Sequence, residues 1–92
     1  MIVRIEIDDY DAGTYEYRVT DHGEALFGDA GLPSVVESIV SAVEGLAPSV
    51  MAVEIWYRSI VSGTYPLSVV AMSPHQIAEH AVNTTTAIEE VM

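Results

Sequence analysis

Cysteine and lysine are absent from this chain, and its fixed positive charge rests on three arginines, Arg4, Arg18 and Arg58. Without cysteine there is no disulfide framework, thiol nucleophile, thiolate metal site or iron–sulfur cluster. Without a basic surface nothing neutralises phosphates, which argues against direct nucleic-acid binding. The same shortage argues against an anionic membrane as partner. No apolar run approaches the ~18 residues that a spanning helix needs. Met1-Ile2-Val3-Arg4-Ile5-Glu6 lacks a basic segment followed by an apolar one, so no secretory signal is read and a cytoplasmic location is expected.

What is present is acid. Fourteen Asp and Glu give a formal charge of −11 over 92 residues. Half of the residues are apolar, so the expectation is one folded domain over residues 1–92 and not an acidic tail. The charge is uneven. Residues 1–46 hold ten acids and two arginines, and residues 47–92 hold four acids and one arginine. The halves thus carry −8 and −3, which together make the −11. Such a surface serves solubility, and it also attracts a basic partner.

Residues 2–8 alternate, with Val3, Ile5 and Ile7 on one side and Arg4, Glu6 and Asp8 on the other. Residues 14–20 alternate likewise, with Tyr15, Tyr17 and Val19 against Thr14, Glu16, Arg18 and Thr20. Asp9-Tyr10-Asp11-Ala12-Gly13 joins these strands as a hairpin loop. A turn at Asp21-His22-Gly23-Glu24 follows, with Ala25-Leu26-Phe27 as a short extra strand. The spacing of Val35, Val36, Ile39, Val40, Val43 and Leu46 predicts a helix. Pro33 belongs to its first turn, Ser34, Glu37, Ser38, Ser41 and Glu44 face outward, and Gly45 and Pro48 stop it. Residues 50–61 read as a long strand, with Val53, Ile55 and Tyr57 opposed to Glu54, Trp56 and Arg58. Ser62-Gly63 turns it into a strand over 64–71, with Tyr65, Leu67, Val69 and Ala71 inward. Ser73-Pro74-His75-Gln76 reads as a capping box, and a last helix runs to near Glu90.

The expected fold is therefore α+β: a two-layer sandwich of an antiparallel sheet with two helices on one face, in the order ββαββα. A circularly permuted ferredoxin-like topology satisfies that order. Ile5-Glu6-Ile7 with Gly13-Thr14-Tyr15 is echoed by Val53-Glu54-Ile55 with Gly63-Thr64-Tyr65. The echo fits an old duplication, but it is short, and two hairpins built by the same rules are the preferred reading.

Chemistry-bearing patterns are sparse. Asp9, Asp11 and Gly13 miss the calcium-loop spacing, which needs Gly at the sixth position and Glu at the twelfth. His75 and Glu79 share a helix face while His80 lies off it, so no pair of histidines is spaced for zinc. Gly28-Asp29-Ala30-Gly31 lacks the lysine of a phosphate loop. No strand–turn–helix nucleophile elbow is present. The expectation is a protein that is not an enzyme, with no metal site and no cofactor.

Trp56 falls on the side opposite Val53, Ile55 and Tyr57. With helices on that other side, Trp56, Ile60 and Val70 emerge on the open face, among Arg4, Glu6, Glu16, Arg18, Glu54 and Arg58. A tryptophan among charges has the composition of a binding hot spot; cover by a loop is the alternative. In the first hairpin, parity allows only pairings whose residue numbers sum to an even value. Each such register sets Arg4 and Arg18 among the outer glutamates. Asp8, Asp9, Asp11, Asp21, Glu24 and Asp29 are then expected to be unpaired at the hairpin's ends and to carry partner binding, together with Trp56 and Arg58.

Residues 1–46 resemble the N-terminal part of HicB-like antitoxins. The likeness lies in Ile5-Glu6-Ile7-Asp8, Asp11-Ala12-Gly13, Tyr15-Glu16-Tyr17-Arg18-Val19, Gly28-Asp29 and the helix from Pro33 to Leu46. The Pro-Gly-Cys-like turn of that family is replaced here by Asp21-His22-Gly23-Glu24, and a second hairpin and helix replace the usual extension. The resemblance implies an acidic protein that neutralises a small basic ribonuclease. In size and charge the chain also looks like phage-encoded inhibitors of bacterial defence systems, anti-CRISPR proteins among them. The leading expectation is a non-catalytic binding protein for a basic, nucleic-acid-handling protein. The alternative is a self-associating structural or small-molecule-sensing domain, which forms a homodimer through its open face or an edge strand.

Overall fold

The alternation of Val3, Ile5 and Ile7 with charged residues forms a strand, β1 (Ile2–Asp11), in the computed structural model, which describes residues 1–92. It is followed by β2 (Thr14–Asp21), β3 (Glu24–Leu32), α1 (Val35–Glu44), β4 (Ala52–Tyr57), β5 (Ile60–Pro66), α2 (Leu67–Met72) and α3 (Pro74–Glu90). The strands make one mixed sheet in the order β3-β2-β1-β4-β5. Val3, Ile5, Ile7, Val53, Ile55, Tyr57, Tyr17 and Val19 are buried together with Ile39, Ala42, Val70, Ile77 and Ala81 of the helices. One face of the sheet is thus covered. The core residues that are fully buried, such as Ile5, Ile39 and Ile55, each contribute ~1.5–3 kcal/mol.

The α+β class holds, while the antiparallel sheet and the order ββαββα are corrected. β1 and β4 pair in parallel, with Ile5 beside Ile55. The cause is β3, a nine-residue strand along β2 instead of a three-residue stub. Each added element reverses the chain. A full β3 makes α1 return to the end where β1 began, so β4 must run parallel to β1. The hairpins also meet through their first strands, whereas a permuted ferredoxin-like sheet would join them through their second. The hairpins extend to opposite sides of the central pair while all three helices contribute to one core on one face, so no rotation superposes the echoed halves.

Two local assignments also change. The turn after β4 is Arg58-Ser59, with Tyr57 opposite Ile60, and not Ser62-Gly63. Both turn residues have positive φ, 50° and 65°, the geometry of a two-residue hairpin that normally takes Asn-Gly. Gly63 instead lies within β5, opposite Ile55 beside a bulge. Beyond Pro66 the chain turns into α2, which buries Val70 and leaves Val69 and Ala71 exposed. Leu67, Val69 and Ala71 therefore do not line a strand.

The helix ends differ as well. Ser34 is the N-cap of α1, so Pro33 precedes the helix instead of lying in its first turn: the Ser34 Oγ accepts from the Glu37 N–H at 3.0 Å. Ser34-Val35-Val36-Glu37 has the spacing of a capping box. The Ser38 hydroxyl is buried and donates to the Ser34 carbonyl at 3.0 Å. Ser73 precedes α3 without a side-chain cap bond, so the capping box expected there is not made. No helix is long and apolar enough to cross a membrane.

Candidate functional site

Side chains that alternate away from the helices define the other face. Arg4, Glu6 and Asp8 come from β1, Glu16, Arg18 and Thr20 from β2, and Glu54 and Trp56 from β4. The first hairpin adopts the register in which Glu6 faces Arg18 and Asp8 faces Glu16. Arg18 donates to Glu6 at 3.1 Å, and the Thr20 hydroxyl donates to its second oxygen at 3.0 Å. Arg4 donates to Glu54 at 3.0 Å and lies 4.3 Å above the Trp56 ring. The Trp56 indole N–H also donates to Glu54. The centre of the face is thus a neutralised network of Arg4, Glu54, Trp56, Glu6, Arg18 and Thr20.

Trp56 is on the open face as expected, half-buried under Arg4. The two apolar residues expected beside it are elsewhere. Val70 is in the core, and Ile60 faces Tyr57 on the helix side. The misplaced turn inverted the parity of Ile60, and Val70 lies in a helix instead of a strand. Val61, opposite Trp56 and 43% exposed, takes their place.

The acids do not form one patch. Asp8 and Glu16 face each other directly with no arginine bonded to either. Partial burial raises the Asp8 carboxyl above the ordinary range, Arg18 opposes that rise, and Glu16, Glu6 and Asp9 add to it. Asp11 lies at the adjoining hairpin tip, where it accepts from the Ala12 N–H at 2.8 Å. Asp29 belongs to the outer strand and accepts from the Ala30 N–H at 2.8 Å. Asp21 and Glu24 close the β2–β3 turn at the opposite end of the sheet. There the His22 ring approaches Asp21 at 2.8 Å.

Asp9 corrects the expectation of six unpaired acids. It accepts from the Tyr57 hydroxyl at 2.9 Å and from Arg58 at 2.8 Å. Arg58 also donates to Glu89 of α3 at 3.1 Å. Burial and the Asp9 bond push the Tyr57 hydroxyl well above its ordinary pKa, and the Asp9 bond raises Arg58. Arg58 and Asp9 thus clasp β1, the β4–β5 turn and α3 together. Tyr57 and Glu89 were not singled out from the sequence. Their contacts with Asp9 and Arg58 span 48 and 31 residues, and no local pattern announces them. Glu16 was expected to serve the sheet beside the arginines; the register that sets Glu6 opposite Arg18 sets it opposite Asp8 instead.

Catalytic geometry is thin. No group of three or more His, Asp or Glu side chains is placed to hold a metal ion. The His80 ring lies 3.5 Å from the Thr84 hydroxyl on the exposed side of α3. The concavity at the start of β1 is shared by Ile2, Arg4, Thr20, His22 and Glu54. Fold and face together define a small acidic α+β protein with one helix-covered and one charged sheet face. The chain matches no protein-family model, no curated protein sequence and no solved structure.

Proposed function

We propose that this is a non-catalytic binding protein whose acidic β1–β2 end engages a basic protein partner. One observation carries the proposal: Asp8 and Glu16 sit directly opposite each other while both nearby arginines are bonded to other glutamates. Like charges set opposite across strands destabilise a sheet. A protein that bonds arginine to Glu6 and Glu54 but leaves this pair without a bonded cation leaves a seat for someone else's cation. Asp11 at the tip extends the same negative field. Opposite-charge steering then makes association fast and salt-sensitive. A nucleic-acid-handling protein supplies the right surface, because its own ligand demands one. A toxin ribonuclease or a bacterial defence nuclease belongs to that class.

Capture from source lysate at low and high salt, followed by association kinetics with the captured protein, tests this. The variant to compare carries Asp8→Asn, Asp11→Asn and Glu16→Gln. Slower association with an unchanged fold is the expected result. Unaltered kinetics, or capture of partners without basic surfaces, refutes the proposal. Self-association through the open face is favoured by one feature, the exposed Val61 beside Trp56. A strict monomer by sedimentation at high concentration removes it.

A further inference from the structure

The two edges of the sheet are not equivalent. α2 and α3 pack against β5, which ends in Pro66, a residue without an N–H. β3 has almost no cover: Phe27 and Leu32 are half-buried and its other residues are exposed. Bulges at Leu26 and Gly31 bound a regular stretch, Phe27–Ala30, along β2. An exposed edge presents main-chain donors and acceptors to any other strand. Here one such donor is occupied by its neighbour. The Ala30 N–H bonds to the Asp29 carboxylate at 2.8 Å, so this amide points away from β2 and towards solvent.

Charge decides which strand fits. β3 carries Glu24 and Asp29 and no basic residue, and Glu16 of β2 lies directly opposite Ala30. A second copy pairing along this edge would set Asp29 beside its own counterpart, and the Asp29 carboxylate already occupies the donor that it would need. A basic strand avoids the first obstacle and, by its charge, removes the second. We propose that the outer edge of β3 over Phe27–Ala30 receives an extended, Lys- or Arg-bearing segment of the partner, which adds as a sixth strand. A cation of that segment draws the Asp29 carboxylate outward. A main-chain carbonyl of the segment then accepts the released Ala30 N–H. Asp29 thus guards the edge against self-pairing and opens it to opposite charge. Strand addition of this kind takes affinity from the main chain and specificity from alternate side chains. The inference rests on the proposed basic partner and specifies how part of it is held.

The test uses the whole protein and two probes at low salt: a capped peptide of alternating lysine and valine, and the same peptide N-methylated on alternate residues. N-methylation keeps the charge and removes the hydrogen bonds of one strand edge. Amide chemical shifts and hydrogen exchange of the ¹⁵N-labelled protein report the site. The expected result is slowed exchange at Ala30, shifts across Phe27–Ala30, and about tenfold weaker binding of the methylated peptide. In the Asp29→Asn variant, which keeps an acceptor for Ala30 but no charge, the unmethylated peptide should bind more weakly. Equal binding of both peptides, with shifts at Asp8, Asp11 and Glu16, overturns strand addition and leaves the acidic-face proposal standing. Absence of binding by either peptide also overturns strand addition. The proposed function then rests on capture of the natural partner, which these peptides do not probe.

Discussion

Asp8 costs stability at a position that the proposed function uses for recognition. Its carboxyl is raised above the ordinary carboxylate range, chiefly by burial and in part by Glu16, Glu6 and Asp9. A carboxyl whose folded pKa exceeds its unfolded one binds more protons when folded. Stability from this group therefore falls as pH rises through the window above the ordinary value of about 3.9. Asp8→Asn should stabilise the protein at pH 7 by ~0.2–1 kcal/mol. In urea titrations that gain should vanish at about pH 3, where the Asp8 carboxyl is protonated in either state. The same change should slow partner association, so stability and binding move in opposite directions. Asp9 behaves otherwise, because Tyr57 and Arg58 both depend on it. Asp9→Asn should lower stability at pH 7 by up to ~1 kcal/mol, since the ion pair is partly exposed. Ser59 holds a positive φ of 65° without being glycine. Ser59→Gly should raise the melting midpoint by the equivalent of ~0.5–1 kcal/mol, by relieving left-handed strain.

At the scale of elements, α2 offers the sharpest check on the fold. A strand over 64–71 would bury Val69 and expose Val70; the helix does the reverse. Val70→Ala should cost about 2 kcal/mol in chemical denaturation, and Val69→Ala should cost little. The strands β1, β2 and β4 and the helices α1 and α3 were legible because their apolar residues keep a clean period. β3 was read too short because Gly28, Asp29, Ala30 and Gly31 have poor strand propensity. Its pairing with β2 is a tertiary fact. The turn after β4 was misread because Arg58-Ser59 carries no turn signal while Ser62-Gly63 does. That error swapped the face of Ile60, since a shifted turn inverts parity; the bulge beside Ile55 then restored it, and Tyr65 lies inward as expected. Trp56 precedes the turn and kept its place on the open face, whereas Val70 moved because its segment is a helix and not a strand.

At the scale of the molecule, all three arginines are committed to internal ion pairs. The remaining field is one of uncompensated negative charge. Association with the partner should slow roughly tenfold from low salt to physiological ionic strength, and stopped-flow rates at several salt concentrations check this. The site was only partly legible for a related reason. Composition gives the sign of the field, but which acids are free depends on contacts such as Arg58 with Glu89, made across the whole chain.

The central parallel pair also governs how the molecule reaches this state. β1 and β2 can meet early, because a short hairpin loop joins them. Ile5 and Ile55 become neighbours only after the intervening chain has closed into one large loop, and that closure precedes most of the gain from core burial. The search for β4 by β1 should therefore set the folding rate. Ile55→Val should slow refolding in stopped-flow chevrons, while Phe27→Leu on the outer strand should mainly hasten unfolding. Before that closure a β1–β2–β3 ribbon would have its apolar side bare, so the acids of the first half should then also limit aggregation.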